Sequence, residues 1–335
     1  MASNLTLLNT IWDNGSTHYQ DRVPQATRDN ITAVGNAILQ YESTKNEFLD
    51  ALVNRISLVL VSSKMAKNKL SQFKGGMIEY GSDIEEIYTA MAQAQVFDVA
   101  KAESEVFKRK KPDVKSIFHR VNRQDVYKTT IEEGQIKRAF LSNDGLGKLV
   151  ASIVNSLYSG DVYDEYILTK ELVAKYYQDD ENGKTAVIDV AKVTDQESAM
   201  NFFRTIKQAS KDMTYMNTAF NPMGVQQFTE QSDQVLLLHK NVATHLDTDV
   251  LAWVFNEGKM DYAGKVIEVD DFGSLGNTQG VLVDKNWFRI FDKLYETRNL
   301  YNPEGLYWNY WLHHHQLLSY SLFHQAVRFT DITPA

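Results

Sequence analysis

One long stretch of apolar residues with helical spacing, from Asn143 to Gln178, constrains the fold more than any other part of the chain. Its apolar side chains recur at intervals of three and four residues, which predicts an amphipathic helix. Asn143 or Asp144 can cap its beginning, and Gly160 interrupts the run where a helix would end or bend. Because apolar residues occupy more than one side, we expect a buried helix with other elements packed across it. An ordinary pair of core helices without a special role is the alternative.

Composition and charge limit the class of protein. The chain has 335 residues and no cysteine, which excludes a disulfide scaffold, thiol catalysis and thiolate metal sites. The net charge of -8 argues against a protein whose main function is to bind nucleic acid. The first residues lack the basic end and the apolar run of a secretion signal, and no apolar stretch approaches the length of a membrane span. We therefore expect a protein that is neither exported nor embedded in a membrane.

The remaining chain divides into regions of different character. Residues 1–30 are polar and turn-rich, and they predict an arm or a loosely packed leader. Residues 63–131 read as extended, charged chain with little core of its own, which is more typical of a segment lying against a neighbour. Strands alternate with helices across 185–284, which favours a compact α/β or α+β lobe. The aromatic-rich stretch 287–329 favours long β-strands that cover something large.

A basic tract is the exception to the acidic balance of the chain. Such a run is usually a solvated face, and the alternative is a contact against an acidic surface of another protein chain. Its members are Lys108, Arg109, Lys110, Lys111, Lys115, Arg120 and Arg123.

No catalytic arrangement emerges from the motifs. The run Gly145-Leu146-Gly147-Lys148 resembles the end of a phosphate loop, but Ser142 stands where that motif needs glycine. The glycines between 273 and 280 lack the spacing of a dinucleotide site, so a flexible loop is the better interpretation. In a strand, His313 and His315 would share a face and His314 would point away, so at most two could converge on a metal.

Specific strings carry a resemblance that periodicity alone does not. In order along the chain, from about residue 29 to 329, they resemble the major capsid proteins of phi-29-like short-tailed bacteriophages. The strings are Asp29 to Gly35, Leu52 to Ile56, Phe73 to Gly76, Ile84 to Thr89, Pro112 to Lys115, Phe118 with His119, Asn122 to Gln124, Asp249 to Ala252, Val281 to Lys285, Trp287 with Phe288, Asn302 with Pro303, and Gly305 to Tyr310.

The resemblance implies the Hong Kong 97-like major capsid protein fold, an α+β fold with an N-terminal arm, an E-loop, a peripheral domain with a spine helix, and an axial domain. Some relatives add an immunoglobulin-like domain, which we expect to be missing because this chain ends at Ala335. On this basis the expected domains are residues 1–62 for the arm and entry to the peripheral domain, 63–131 for the E-loop, 132–184 for the peripheral domain with its spine helix, 185–284 for the axial domain and 285–335 for return strands of the peripheral domain.

The implied function is that of a major head protein. It would self-assemble as pentamers and hexamers into the icosahedral head around the double-stranded DNA genome of a tailed phage, in the host cytoplasm. Expected partners are other copies of the chain, a scaffolding protein, a portal, and DNA bound non-specifically, with no cofactor, metal or catalytic residue. The alternatives are a soluble α/β enzyme with a histidine or glycine-loop site, or another virion structural protein such as a connector.

Contacts between copies are expected in the E-loop. The apolar residues expected to contact another copy are Ile78, Ile84, Ile87, Tyr88, Ile117 and Phe118. The basic residues expected to do so are Lys108, Arg109, Lys110, Lys111, Arg120 and Arg123. The expected flexing points are Gly75, Gly76 and Gly81. An acidic patch of Asp179, Asp180 and Glu181 on a neighbour is one candidate partner for the basic residues.

Overall fold

The structure of the chain is a computed structural model that describes residues 4–41, 43–48, 51, 68–79, 83–94, 109–140, 145–180, 183–246 and 264–331. The chain forms two compact units, each assembled from three separate segments. The first comprises Met1–Asn68, Gln124–Glu165 and Leu294–His315, and the second comprises Lys69–Arg123, Tyr166–Lys293 and Gln316–Ala335.

Helices and strands are both well represented. The helices are α1 (Asn4–Asp13), α2 (Thr17–Arg22), α3 (Ile31–Gln40), α4 (Glu133–Phe140), α5 (Gly145–Gln178), α6 (Gln196–Thr214) and α7 (Lys240–His245), with a further helical segment at residues 43–48. The strands are β1 (Lys74–Met77), β2 (Ile84–Thr89), β3 (Val114–His119), β4 (Arg123–Glu132), β5 (Ala186–Val190), β6 (Gln234–His239), β7 (Lys265–Val269), β8 (Thr278–Asp284), β9 (Phe288–Asn302), β10 (Tyr307–Tyr320) and β11 (Ala326–Asp331). None of the described helices is long and apolar enough to cross a membrane.

The first unit has a core to which the beginning of the chain contributes directly. Leu7, Leu8 and Ile11 form a buried stripe along α1, and Tyr19 of α2 is also buried in this core. They pack in a cluster with residues of α3, α4 and β10. The expectation of a loosely packed leader over residues 1–30 is therefore corrected. Apolar residues spaced three and four apart form one stripe along α1, and this stripe is enough to bury the helix among its neighbours.

The predicted spine is a single helix. α5 contains 34 residues, which corresponds to about 50 Å at about 1.5 Å per residue. The predicted break at Gly160 does not occur, and the helix continues through it. A Cβ atom at this glycine would lie 3.5 Å from the ring of Tyr127, at ordinary contact distance. Helix formers on both sides outweigh the propensity of one glycine, which is only about 1 kcal/mol.

The second unit is built around a five-stranded sheet of order β5-β11-β8-β6-β7. Alternate residues of β6 enter different clusters: Val235 and Leu237 pack with α5 and Trp287, while Leu236 and Leu238 pack with α6. Both faces are covered, so the central strands read as continuous apolar runs in the sequence. The strands predicted across 185–284 are present, and α6 begins with a capping box formed by Asp195 and Ser198.

Two corrections concern regions predicted as extended chain. β11 lies between β5 and β8 in the five-stranded sheet, so the end of the chain does not simply return alongside the long strands β9 and β10. The segment 63–131 also contributes more core than expected, since Leu70, Phe73 and Ile131 are buried in core clusters. β1, β9, β10 and β4 form a four-stranded sheet in that order, and β2 and β3 form a separate two-stranded sheet among the described strands.

Candidate functional site: the two faces of the β2–β3 hairpin

The β2–β3 pair is an antiparallel ribbon with two unlike faces. Its register pairs Ile84 with His119 and Thr89 with Val114, and side chains alternate between the faces along each strand. We call the face that packs on the chain's own second unit the inner face and the opposite one the outer face. The inner face carries Ile84, Glu86, Tyr88, Lys115, Ile117 and His119, and the outer face carries Glu85, Ile87, Thr89, Val114, Ser116 and Phe118.

Glu86 is the centre of the inner face. Its Oε1 accepts hydrogen bonds from Arg289 Nη2 at 2.7 Å and Ser321 Oγ at 2.7 Å, and its Oε2 lies 3.1 Å from His119 Nε2. Burial would raise the pKa of this carboxyl, but the hydrogen bonds from His119, Arg289 and Ser321 outweigh it and lower the pKa to about 2. An ionised carboxylate therefore ties the hairpin to β9 and to the loop after β10.

Other inner-face residues add anchors of the same kind. Lys115 Nζ donates to the carbonyl of Met223 at 3.0 Å, and the Tyr88 hydroxyl donates to the carbonyl of Gln226 at 3.3 Å. The ring of Tyr88 also packs against Phe323, with centroids 5.8 Å apart. The inner face is thus held by polar bonds and one aromatic contact. Ile84, Tyr88 and Ile117 lie on this face, so all three are withdrawn from the predicted contacts with other copies.

The outer face presents apolar side chains to solvent. Ile87 is 58% exposed, Val114 53% and Phe118 59%, and Met91 just beyond β2 is also exposed. Ile87 is paired with Ser116 and Phe118 with Glu85, which places the two apolar side chains diagonally across the ribbon. The hairpin therefore carries apolar side chains on both faces, and its outer face is not the polar face expected of a strand that borders solvent.

The basic tract is divided by the structure. Arg109, Lys110 and Lys111 are exposed, and Lys110 Nζ donates to the carbonyl of Gln93 at 3.3 Å. Arg120 is exposed and pairs with Asp83 at 3.0 Å. Arg123 is only 4% exposed and donates to Gln316 Oε1 at 3.0 Å, so it is withdrawn from the predicted surface contacts. Lys108 lies outside the described residues.

The predicted flexing points have other roles where they are described. A Cβ atom on Gly75 would lie 2.3 Å from the ring of Phe291, so this glycine permits close packing of β1 against β9. Gly76 has a φ of 96°, a conformation that side-chain-bearing residues rarely adopt. Replacing both with alanine would disturb the local fold, which makes that substitution a poor test of flexing. Gly81 and Glu181 lie outside the described residues. Of the remaining acidic candidates, Asp179 accepts a hydrogen bond from the Tyr320 hydroxyl and Asp180 accepts one from the backbone N–H of Thr185.

The candidate sites of the enzyme alternative are packing elements. His314 is fully buried on β10, with Nδ1 2.6 Å from Asp161 Oδ1, whereas His313 and His315 lie on the opposite side of the strand, as predicted. The glycine loop between β7 and β8 is anchored by Phe272 and Leu275, both buried in the core of the second unit.

Sequence reasoning missed the residues that matter most on the inner face. Glu86, Arg289 and Ser321 are far apart in the sequence, and no spacing links them. The period-two alternation of β2 identifies two faces but does not say which one packs on the chain's own body.

Comparison with known proteins gives consistent results at the level of sequence. The Phi29-like phage major capsid protein family matches residues 8–330. The chain is 36% identical to the major capsid protein of Bacillus phage B103, over all of this chain and 75% of that protein. It is 30% identical to the major capsid protein of Streptococcus phage Cp-1, over 96% of this chain and 92% of that protein.

Solved structures agree at the level of fold. The capsid structure of Staphylococcus phage Andhra superposes with a TM-score of 0.63 at 13% identity, covering 80% of this chain and 85% of that one. The mature capsid of bacteriophage PhiM1 gives 0.56 at 10% identity, covering 82% and 90%. The fold is therefore the Hong Kong 97-like α+β capsid fold, as the sequence resemblance implied. The chain belongs to the Phi29-like phage major capsid protein family, and it is a structural protein of the virion capsid and not an enzyme.

Proposed function

We propose that this chain assembles as pentamers and hexamers into an icosahedral head around a double-stranded DNA genome, with the outer face of the β2–β3 hairpin buried against a neighbouring copy. The apolar side chains on the exposed outer face carry this proposal. More than half of the surface of Ile87, Val114 and Phe118 is exposed, although the inner face of the hairpin is already anchored on the same chain. A shell protein has many identical neighbours available to cover such a face.

The hairpin belongs to the region 63–131, which in this proposal is the E-loop. α5 acts as the spine of the peripheral domain, and the five-stranded sheet with α6 forms most of the axial domain. The boundaries expected from the sequence are retained except that β11 joins the axial sheet. A scaffolding protein and a portal act during assembly, and the acidic subunit contacts packaged DNA only non-specifically.

The energy available from one hairpin is modest. Fully burying a Val, Ile or Phe side chain contributes about 1.5–3 kcal/mol, so covering the exposed halves of these three contributes about 2–5 kcal/mol. Association costs about 4–15 kcal/mol in lost translational and rotational freedom. One hairpin contact cannot hold two subunits together, and a closed shell is stable because each subunit makes several such contacts at once.

The exposed basic residues of the tract supply a second, electrostatic contribution to the contact between copies. Arg109, Lys110 and Lys111 are exposed in a chain of net charge -8, so acidic surface on a neighbour is their natural partner. Reversing Lys110 and Lys111 to glutamate is expected to block shell formation and leave the subunit folded. Normal particles from this double variant would contradict the electrostatic role.

Substitution of Phe118 tests the proposed interface. Phe118→Asp is expected to abolish particles in negative-stain microscopy of the protein expressed with its scaffolding partner. The unfolding free energy of the subunit should change by less than about 0.5 kcal/mol, because the side chain is exposed there. Phe118→Leu is the matched control, since it keeps an apolar side chain at the same position and should still give shells. Normal shells from Phe118→Asp would refute burial of this face.

A further inference from the structure

A cavity of about 440 Å³ opens beside β1, the strand that leads toward the β2–β3 hairpin. Its lining includes three aromatic rings from β9 and the segment before β1. The rings of Phe73 and Phe288 stack with centroids 4.2 Å apart, and Phe291 is the third aromatic residue of the lining. The cavity has the volume of an ordinary ligand pocket, and its aromatic part can receive an apolar side chain.

The charge of the cavity is opposite to that of the chain as a whole. No acidic residue lines it within the described part of the chain. Four cationic side chains do, and they are Lys74, Lys265, Lys285 and Arg289. In a chain with 43 acidic and 35 basic residues, a pocket lined by cations alone is a local reversal of sign.

The countercharges of these cations lie outside the cavity lining. Lys74 pairs with Asp292 at 2.8 Å, Lys285 with Asp233 at 2.7 Å, and Arg289 with Glu86 at 2.7 Å. Lys265 is exposed at the beginning of β7 and has no ion-pair partner among the described residues. An anion entering the cavity therefore meets Lys265, which has no ion pair within the described part of the chain, and the open sides of three paired cations.

We infer that this cavity binds an acidic peptide segment of a second copy of this chain, one that brings a carboxylate and an apolar side chain together. The carboxylate pairs with Lys265 and its neighbours, and the apolar side chain packs against Phe291, which is half-buried, whereas Phe73 and Phe288 behind it are buried. Inorganic phosphate would leave the ring of Phe291 uncovered. Duplex DNA is a rod too wide to enter a concave site of this volume, so its phosphates would reach only the rim.

A sister copy is the occupant because of where the cavity lies. β1 precedes the hairpin whose outer face is proposed to be covered by a neighbour, and Arg289 is shared between the cavity lining and the Glu86 cluster. The cavity thus adjoins the inner-face cluster that holds the hairpin, and β1 leads from the cavity into the hairpin that a neighbour is proposed to cover. The neighbour's surface is acidic on balance, which complements the four cations. This inference rests on the proposed self-assembly.

Peptide binding by the unassembled subunit tests the cavity independently of shell formation. The probe is a blocked pentapeptide, Asp-Glu-Phe-Asp-Glu, carrying a neutral fluorophore, and binding is followed by fluorescence anisotropy. Saturable binding that weakens as salt rises is expected. Lys265→Glu should weaken binding by about fivefold or more, because it replaces an attraction with a repulsion.

Lys192→Glu is the matched control, since it makes the same charge change at an exposed lysine after β5, away from the cavity lining. It should bind the probe as the wild-type subunit does. Absence of saturable binding, or equal effects of the two substitutions, would overturn the anionic site.

Assembled shells test the identity of the occupant. If a sister segment fills the cavity, preformed wild-type shells should not bind the probe that the free subunit binds. Shells that bind it with unchanged affinity would overturn the assignment to a second copy. Failure of the proposed function has a different signature, namely a subunit that forms no shells at all.

Discussion

Glu86→Gln is the substitution that most directly tests how the hairpin is held on its own chain. Glutamine has nearly the same shape as glutamate but no charge, so it removes the ionic part of the bonds to Arg289 and His119. A carboxyl whose pKa falls from its ordinary 4.5 to about 2 on folding stabilises the folded state by about 3 kcal/mol at neutral pH. We expect the variant to lose about 2–3 kcal/mol of unfolding free energy.

The pH dependence of the unfolding free energy provides a second, independent test of the role of Glu86. Because the pKa of Glu86 is lowered in the folded subunit, its contribution is complete above about pH 5 and is lost as the pH falls toward 2. The difference between the wild-type and Glu86→Gln subunits should therefore shrink over that interval. Urea denaturation of the unassembled subunit at several pH values measures both quantities.

Glu85→Gln is the control for this experiment, because the adjacent residue lies on the exposed outer face of the same strand. It removes the same charge and should change the unfolding free energy by less than about 0.5 kcal/mol. Equal effects of the two substitutions, or a Glu86→Gln subunit as stable as the wild type at neutral pH, would refute the claim that Glu86 anchors the hairpin.

Three further substitutions concern backbone and packing. Leu306 has a φ of 52° at the tip of the β9–β10 hairpin. Leu306→Gly should raise the unfolding free energy by about 0.5–1 kcal/mol, since glycine adopts this conformation without the steric penalty. An unchanged or lowered unfolding free energy in urea denaturation would contradict the strain. Gly75→Ala should lower the unfolding free energy by about 1–3 kcal/mol, because the new Cβ atom would collide with Phe291. Gly134 lies in α4, and a new Cβ atom there would have nothing within 4 Å. Gly134→Ala should therefore raise the unfolding free energy by about 0.5–1 kcal/mol. A change of the same sign in both alanine variants would argue against the collision.

Elements with strong periodicity were predictable from the sequence. The strands predicted across 185–284 include the continuous apolar run of β6, and the aromatic stretch 287–329 predicted long strands, which are present as β9 and β10. α5 was predicted at nearly its full length, but the break at Gly160 was not found. One glycine is a weak signal against many helix formers on either side.

The remaining features depend on partners distant in the sequence. The sequence predicts a leader at α1 because polar residues are interspersed with its apolar stripe, yet one of them, Asn4, is itself buried beside Ala139. The position of β11 between β5 and β8 could not be read from its own residues. The site was least predictable, since an isoleucine such as Ile87 would ordinarily be assigned to the inner face and a glutamate such as Glu86 to solvent.

The central claim is that the outer face of the β2–β3 hairpin is exposed in the free subunit and covered in the shell. The chain has no cysteine, so Ser116→Cys places a single thiol on that face, opposite Ile87. Its rate of reaction with a maleimide can be compared between unassembled subunits and intact shells, with denatured shells as the reference for full reactivity. The account predicts fast reaction in the subunit and strong protection in the shell. Equal rates in the two states would contradict it.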